Sequence, residues 1–253
     1  FMAAYNAGAF IRQAIESILN QSFTDFELLI VNDGSTDDTI RVINSISDSR
    51  IRVLENIKNE GLAFTRNRAL NEAKGEFMAI LDSDDIAFPE RLKIQLEYFK
   101  NNPKLAILGG CAYVINQNGK RTGQTMVPIC ASKQLHATLL FYNSFVHSTI
   151  MMRLTAFKAV NGYPLYPIAE DYGLFAKIAI KHQVENIPEY LIEYRIHSNN
   201  ISLKKNLELN AVHQKILALQ FEKLLQEYNT SDINMILDPV YNSPYTLAQY
   251  SML

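Results

Sequence analysis

The sequence predicts an α/β protein whose mostly parallel central sheet is flanked by helices. Short apolar runs typical of buried strands alternate four times with segments whose apolar residues recur at helical spacing. This alternation is typical of parallel strands joined by right-handed crossovers. Polar turns follow three of the apolar runs directly, so they are expected at one carboxyl edge of the sheet, where α/β proteins bind ligands.

The first hundred or so residues supply the regular alternation of elements. Strands are predicted at Phe1–Ala4, Phe26–Val31, Ile51–Leu54, Phe77–Leu81 and near Leu105–Val114. The helices between them are marked by apolar faces, for example Ile11, Ala14, Ile15, Ile18 and Leu19 in the first. The next carries Ile40, Ile43 and Ile46, with Ser35 or Thr36 as its cap and Asp37 and Asp38 in its first turn. The third is expected from Gly61 to Ala73, and the fourth from Pro89 to about Lys100.

Beyond Val114 the alternation becomes irregular. Asn118-Gly119 predicts a hairpin turn. The remaining predicted elements are a short helix at Leu135–Phe141, a strand at Val146–Met152, a helix opened by Glu170-Asp171, a strand at Tyr190–Ile196 and a long helix over 206–227. Residues 204–253 are expected to be a helical segment packed on the domain or a truncated tail.

Composition limits the classes of function. The chain has 253 residues with 48% hydrophobic and 20% charged residues and a net charge of −2, which is ordinary for a globular protein and gives no general affinity for nucleic acid. Cys111 and Cys130 lack metal-ligand spacing and are expected to be reduced packing residues in a reducing compartment. No signal peptide and no stretch of transmembrane length is visible. Residues before Phe1 are expected to be missing.

Three carboxylates, Asp82, Asp84 and Asp85, follow the apolar run Phe77–Leu81. Crowded acidic groups repel one another unless a cation or hydrogen-bond donors compensate, and a divalent metal with oxygen ligands is the simplest compensation. The alternative is a polar turn that caps the helix started by Pro89. An EF-hand is excluded, because its glycine and glutamate positions hold Ala87 and Lys93. The chain also lacks a dinucleotide-binding glycine motif and a Walker A sequence, which argues against a nicotinamide dehydrogenase or a P-loop NTPase.

Six short motifs then occur in a fixed order. They are Ala4-Tyr5-Asn6, the segment 31–37 (VNDGSTD), the segment 61–67 (GLAFTRN), the segment 81–85 (LDSDD), Glu170-Asp171 and the segment 194–197 (YRIH). In this order and spacing the chain resembles the family 2 glycosyltransferases, which are inverting enzymes with the GT-A fold. The resemblance runs from Tyr5 to about Ser202. It implies one GT-A domain over 1–203, with a nucleotide-sugar-binding half at 1–114 and an acceptor-side half at 115–203.

The resemblance also implies donor and metal contacts. Asp33 looks like the residue that hydrogen-bonds the uracil ring of a UDP-sugar, with Tyr5 and Asn6 beside the base. Asp82 and Ser83 are implied to contact the donor, and Arg66 also looks like a donor contact. Asp84 looks like the ligand of an Mn²⁺ or Mg²⁺ ion under the diphosphate. His197 looks like a metal or diphosphate contact.

The resemblance assigns the chemistry to the acceptor side. Asp171 looks like the catalytic base that takes the proton of the acceptor hydroxyl, and Glu170, Tyr163 and His147 are implied on the same side. The acceptor is expected to be a glycan or a lipid-linked saccharide. The protein is then expected in the cytoplasm, with the inner face of a bacterial plasma membrane, reached by peripheral association, as an option. The oligomeric state is left open.

Each of these residues also has a structural interpretation. The alternative for Asp33 is to stabilise its turn only, for Arg66 to be a solvated helix charge, and for His147 to be a satisfied strand histidine. Tyr163 can pack or stack on a sugar, and Asp171 can simply favour a helix N-terminus. Two other functions compete: a nucleotidyltransferase that makes nucleotide sugars, and a non-catalytic module that binds sugar nucleotides or glycans.

Overall fold

The computed structural model describes residues 1–198 and 206–227, and it confirms the α/β architecture. The strands are β1 (Met2–Ala4), β2 (Leu28–Asn32), β3 (Ile51–Glu55), β4 (Phe77–Ala79), β5 (Ile86–Ala87), β6 (Leu105–Asn116), β7 (Arg121–Met126), β8 (Met151–Arg153) and β9 (Gln183–Ile196). The helices are α1 (Ile11–Leu19), α2 (Thr39–Asn44), α3 (Leu62–Glu72), α4 (Arg91–Asn101), α5 (Ser132–Leu139), α6 (Leu154–Ala159), α7 (Glu170–Ala179) and α8 (Asn206–Glu227).

The strands form a parallel sheet and a mixed sheet that meet at β1. The first three strands are parallel in the order β1-β2-β3, and the mixed sheet has the order β4-β8-β6-β9-β5, with β7 paired to β6. Two main-chain bonds join the sheets: Phe1 N donates to Ala79 O at 2.7 Å, and Leu81 N donates to Phe1 O at 3.1 Å. The turns after β1, β2 and β4 therefore open at one edge, as the sequence predicts.

Strand β2 shows why its sequence is apolar without interruption. Leu28 and Ile30 belong to a core cluster with α1 and α4, whereas Leu29 and Val31 belong to a second cluster with α3, α6 and α7. Successive side chains of a strand point to opposite faces, and here helices cover both faces. A strand buried on both sides reads as a continuous apolar run and not as an alternating one.

Two predicted strands have different bounds in the structure. The strand predicted over Phe77–Leu81 ends at Ala79. Ile80 stays buried, but its carbonyl accepts a hydrogen bond from Arg91 Nη2 at 2.6 Å. The strand predicted over Val146–Met152 is wrong at its start, because His147–Thr149 forms a 3-10 turn and pairing begins only at Met151. Thr149 explains the turn: its side-chain hydroxyl and its N–H both donate to Val146 O, at 2.7 and 2.9 Å.

Other boundaries moved for similar local reasons. Strand β9 begins at Gln183 and not at Tyr190, because it pairs with β6 in parallel from that residue onward. The polar residues between Gln183 and Tyr190 interrupt the apolar pattern, so the sequence does not predict this part of the strand. Helix α2 begins at Thr39, so Asp37 precedes it and accepts the Thr39 N–H at 2.9 Å. Helix α6 and the short strand β5 were not expected from the sequence.

The C-terminal helix has the predicted bounds, and Ile216 of α8 packs against Tyr172 and Ala176 of α7. The predicted loop after His197 lies outside the described residues from position 199, as does the tail 228–253. Across residues 1–198 and 206–227, no helix is long and apolar enough to cross a membrane. Cys111 and Cys130 are free thiols, in agreement with the packing role expected of them.

Candidate active site

The turns after β1 and β2 are joined directly. Asn6 has a positive φ of 49°, and its Oδ1 accepts the Thr36 N–H at 2.9 Å. The Asn6 N–H donates to Ser35 Oγ at 3.0 Å. Asparagine tolerates the left-handed region better than most residues, which suits it to this turn. Tyr5 is left half exposed on the same turn.

Asp33 is only 4% exposed, although its place in a polar turn after a strand is typical of a surface-facing side chain. Its Oδ1 accepts from Asn56 Nδ2 at 2.6 Å and from Glu60 N at 2.9 Å, and its Oδ2 accepts from Gly61 N at 3.0 Å. The loop after β3 therefore folds over the carboxylate. Asp33 therefore stabilises its turn, which is the structural role that the sequence also allows.

The acidic cluster is crowded, and the buried Arg91 guanidinium is a positive charge that acts on Asp85 and Asp82. Asp82 and Asp84 have side chains that are 31% and 24% exposed, while Asp85 is buried. Burial and the neighbouring carboxylates raise the pKa of Asp84 and, further, the pKa of Asp85. Among the described residues, Asp85 Oδ2 has no hydrogen-bond partner. A cation placed among these groups would relieve the repulsion.

Two residues near the C-terminal end of β9 hold this cluster. His197 Nε2 lies 2.9 Å from Asp84 Oδ2. Arg195 donates from its main-chain N to Asp85 Oδ1 at 2.8 Å and from Nε to Asp84 O at 2.7 Å. Arg195 lies in the segment 194–197, but the sequence predicts no role for it. Its buried position could have been inferred from the strand period only if the register had been known.

Arg66 on α3 is 5% exposed, so it is not a solvated helix charge. Its Nη1 forms an ion pair with Glu170 Oε1, and its Nη2 lies 3.5 Å from Asp82 Oδ1 and 3.3 Å from His147 Nδ1. Burial alone would lower the pKa of the guanidinium, but the charges of Glu170, Tyr163 and Asp82 outweigh it and raise that pKa. Arg66 therefore stays charged between the acidic cluster and the start of α7.

Asp82 receives further partners from the 3-10 turn. Its Oδ2 lies 3.3 Å from His147 Nδ1, and its N–H donates to Ser148 Oγ at 3.1 Å. Burial alone would raise the pKa of the Asp82 carboxyl, but His147 and Arg66 outweigh it and lower that pKa. Asp82 is thus the compensated member of the acidic cluster, and Ser83 follows it half-buried in the same turn.

Tyr163 packs inside the protein. Its hydroxyl lies 3.3 Å from His147 Nε2, and its ring centroid is 5.4 Å from the Arg66 guanidinium carbon and 5.1 Å from the ring centroid of Phe157. Of the two roles left open for Tyr163, the structure gives it packing and not stacking on a sugar. His147 is likewise satisfied by protein groups, but in a turn and not in a strand.

Glu170 and Asp171 open α7 with different environments. Glu170 is buried; burial and the charge of Asp171 raise its pKa more than the Arg66 guanidinium lowers it, and Arg66 Nη1 is its ion-pair partner. Asp171 is half-buried, and its Oδ2 accepts from Asn143 Nδ2 at 2.9 Å. Asn143 was not expected from the sequence, because it lies in the loop after α5 with no motif around it.

The residues present fit a divalent cation that is completed by a substrate. Asp84 offers a partly exposed carboxylate beside the His197 imidazole, and Asp85 Oδ2 is buried without a hydrogen-bond partner among the described residues. No set of three His, Cys, Asp or Glu side chains in the described part of the chain is arranged to hold a metal by itself. Mg²⁺ commonly takes one or two carboxylates and receives its other ligands from phosphates and water.

Comparisons with known proteins agree on one family. A family model described as Glycosyl transferase family 2 matches residues 1–160. WfaP of Escherichia coli, named as a UDP-Glc:alpha-D-GlcNAc-diphosphoundecaprenol beta-1,3-glucosyltransferase, is 33% identical over 211 residues, which cover 82% of this chain and 80% of that protein.

Two solved structures are similar in fold. S. aureus TarS 1-349 in complex with UDP matches with a TM-score of 0.72 at 19% identity, over 99% of this chain and 75% of that one. The mannosyltransferase PcManGT from Pyrobaculum calidifontis, in complex with GDP-Man and Mn²⁺, matches with a TM-score of 0.61 at 13% identity, over 99% of this chain and 81% of that one. At these identities the likeness shows a shared fold.

Proposed function

The chain belongs to glycosyl transferase family 2, and on that premise we propose that it is an inverting enzyme that moves a sugar from a UDP-sugar to an acceptor hydroxyl. The observation that carries the proposal is the position of Arg66. This one side chain contacts Asp82 of the acidic cluster and Glu170, the neighbour of Asp171. The two acidic motifs therefore belong to one site, as a transfer between two bound substrates requires.

The donor half of the proposal rests on the edge formed by β1, β2 and β4. Asn6 and Asp33 frame the turns where a uracil base would bind, with the exposed Tyr5 ring beside them. UDP is favoured as the nucleotide because WfaP is named for UDP-Glc and TarS was solved with UDP. Asp82 and Ser83 would then face the ribose or the donor sugar.

A divalent metal would be held by Asp84 and His197. When bound, Mn²⁺ or Mg²⁺ neutralises the diphosphate and makes UDP a better leaving group. Two protein groups would hold Asp84 in position for the metal. Arg195 bonds the main-chain carbonyl of Asp84, and His197 bonds its carboxylate. PcManGT, which shares the fold, was solved with Mn²⁺.

Asp171 is the base in this proposal. Its carboxylate takes the proton of the acceptor hydroxyl while that oxygen attacks the anomeric carbon, and the bond from this carbon to the diphosphate oxygen breaks with its electron pair leaving on UDP. Attack from the face opposite UDP inverts the anomeric centre. Asn143 orients Asp171 through Oδ2 and leaves Oδ1 for the acceptor. Glu170 is occupied by Arg66, so it is the weaker candidate for the base.

The acceptor is a glycan or a lipid-linked saccharide. WfaP, which matches most of this chain, is named for an acceptor sugar on diphosphoundecaprenol. An acceptor of that kind would bring the enzyme to a membrane surface as a peripheral protein.

A transfer assay tests the proposal directly. The protein is incubated with Mn²⁺, a panel of UDP-sugars and two acceptor types, free oligosaccharides and saccharides linked through diphosphate to a lipid. We expect UDP release and a product heavier by one sugar in the mass spectrum with at least one pair, and no product after EDTA treatment. Absence of product and of metal-dependent UDP binding throughout the panel would overturn the proposal.

A further inference from the structure

Two consecutive residues of α3 reach across the site to the chain that leads into α7. Arg66 contacts Glu170, the first residue of α7, and Asn67 contacts the main chain of Tyr163. These contacts join segments 104 and 96 residues apart in the sequence. Both ends of the connection from Tyr163 to Glu170 are therefore held by one turn of α3.

The Asn67 contact is a pair of hydrogen bonds to one residue. Nδ2 donates to Tyr163 O at 2.8 Å, and Oδ1 accepts from Tyr163 N at 2.8 Å. The amide thus pairs with the main chain as a neighbouring strand would. Gly162, with φ of +71°, permits the approach, because a Cβ at that position would overlap Asn67 Oδ1.

The Arg66 contacts are all internal. Glu170, Asp82 and His147 surround the two terminal nitrogens, and the Tyr163 ring covers the guanidinium. Arg66 Nε is buried with no hydrogen-bond partner among the described residues. The guanidinium is enclosed by protein groups and presents little surface to a nucleotide.

The main chain immediately before Glu170 is held in an unusual conformation. Ala169 has φ of 58° and ψ of 27°, a left-handed conformation that costs an L-residue with a Cβ some free energy. Such a conformation persists when the surrounding contacts determine it, and it is common at functional sites. Here Asn67 and Arg66 of α3 hold Tyr163 and Glu170 on the two sides of Ala169, and Ala169 itself packs in a cluster with Ile216 of α8.

We propose that Arg66 and Asn67 form a clamp that sets the position of the α7 N-terminus, and through it the position of Asp171 relative to the donor. Arg66 is then a positioning residue and not a donor ligand. The inference rests on the proposed role of Asp171 as the base. A base displaced by about 1 Å can lose about 100-fold in rate, so a clamp at this point acts on turnover and not on nucleotide affinity.

The test uses three variants and two matched controls. Asn67→Ala removes the paired hydrogen bonds, Arg66→Gln removes the charge, and Arg66→Lys keeps the charge without the forked geometry. Asn71→Ala, on the exposed side of the same helix, and Arg41→Gln, an exposed arginine on α2, are the controls. For each protein, kcat, the donor KM, the Kd for UDP with Mn²⁺ and the Tm are measured well below the melting transition.

We expect Asn67→Ala and Arg66→Gln to lower kcat by about 10–100-fold while the donor KM and the Kd for UDP stay within about threefold of wild type. Arg66→Lys should recover part of the loss, and the controls should match wild type. A tenfold or larger loss of UDP affinity in Arg66→Gln would make Arg66 a donor ligand and overturn its assignment. A lower Tm with unchanged kcat would reduce the clamp to a stabilising contact and overturn the inference.

Hydrogen exchange separates this inference from the proposed function. If the clamp holds α7, amides of the first turn of α7 exchange faster in Asn67→Ala and at the wild-type rate in Asn71→Ala, whether or not an acceptor has been found. Unchanged exchange at residues 170–175 would overturn the clamp even if the enzyme transfers sugar as proposed. If Arg66→Gln does not fold, hydrogen exchange in Asn67→Ala and Asn71→Ala still tests the clamp.

Discussion

The site contains two groups of neighbouring carboxylates that are compensated in different ways. Burial and nearby carboxylates raise the pKa of Asp84, which faces Asp82, and the pKa of Asp85, which faces Asp84 and Asp82. His197 and Arg195 supply their hydrogen bonds, and the charge of the buried Arg91 also acts on Asp85. Glu170, beside Asp171, is neutralised by the buried Arg66. In the proposed function a bound cation supplies charge to the first group, whereas the second receives it from Arg66 on α3.

This difference indicates what each group is built to do. A cluster that is stable without a cation has little to gain by binding one, so incomplete compensation suits a metal site. In the proposed function Asp171 is the base, and the pairing of Glu170 with Arg66 inside the protein leaves Asp171 as the carboxylate of α7 that can take the acceptor proton. If an arginine paired with Asp84 or Asp85, we expect the cation to bind weakly. If Glu170 had no arginine partner, it would compete with Asp171 as the base.

The largest effect is expected for Asp171→Asn, which tests the second group. Asparagine keeps the shape and can cap or begin a helix, but it has no basic oxygen. Transfer should fall by about 10²–10⁴-fold. UDP affinity and Tm should stay close to wild type, because Asp171 acts on the acceptor and its one assigned contact is with an amide.

Activity within a few-fold of wild type would move the base to another residue, with Glu170 the next candidate. Loss of UDP binding would place Asp171 in the donor or metal site and remove the distinction between the two groups. Asp38→Asn, an exposed carboxylate before α2, serves as the control.

Glu170→Gln tests the neighbour and should lower stability and, because it breaks the Arg66 half of the clamp, kcat as well. The variant leaves the buried Arg66 without its main counter-ion, and breaking a buried pair from one side costs about 3–5 kcal/mol. Urea unfolding of Glu170→Gln and Asp171→Asn side by side measures the contrast. Equal unfolding midpoints for the two variants would contradict the assignment of Glu170 as the internally paired carboxylate.

The sequence was sufficient for the elements whose signals are local. The edge of the sheet carrying Asn6, Asp33 and Asp82 followed from strand alternation, and the bounds of α8 followed from helical spacing over many turns. The family resemblance was also correct. These signals need no knowledge of distant contacts.

The partners within the site depend on contacts far apart in the chain, and the sequence did not reveal them. The sequence left a solvated helix charge open for Arg66, which burial contradicts, because its partner Glu170 lies 104 residues away. Arg195 and Asn143 were missed because only tertiary packing brings them to Asp85 and Asp171. The predicted strand limits were wrong where a side chain bonds a main-chain carbonyl that a neighbouring strand would otherwise bond. Thr149 does this at Val146 O and Arg91 at Ile80 O.

A smaller effect is expected for Asp84→Asn, which tests the first group. Changing even an outer partner of a metal ligand commonly costs about 10–100-fold in metal affinity, so loss of a ligand should weaken metal-dependent UDP binding by at least about 10-fold. Titration of UDP with Mn²⁺ and with EDTA measures the effect. In EDTA the variant should melt no lower than wild type, because a like charge has been removed from beside Asp85. A marked fall in Tm without metal would mean that the cluster is already compensated.

The smallest effect is expected for Asp33→Asn. Asp33 adds a third case to the comparison, because N–H donors and not a cation or an arginine compensate its carboxylate. Its oxygens accept from Asn56 Nδ2, Glu60 N and Gly61 N. An asparagine amide turns one acceptor into a donor that faces an N–H group. The buried mismatch should lower the free energy of unfolding by about 1–3 kcal/mol.

The same variant should also weaken UDP binding, since the loop after β3 closes over Asp33 beside the proposed base site. Urea unfolding and UDP titration on one preparation separate the two roles. Unchanged stability with lost UDP affinity would assign Asp33 to the donor alone, as the family resemblance implies. Lower stability with unchanged UDP affinity would leave only the turn, because the carboxylate would then hold the loop without reaching the base.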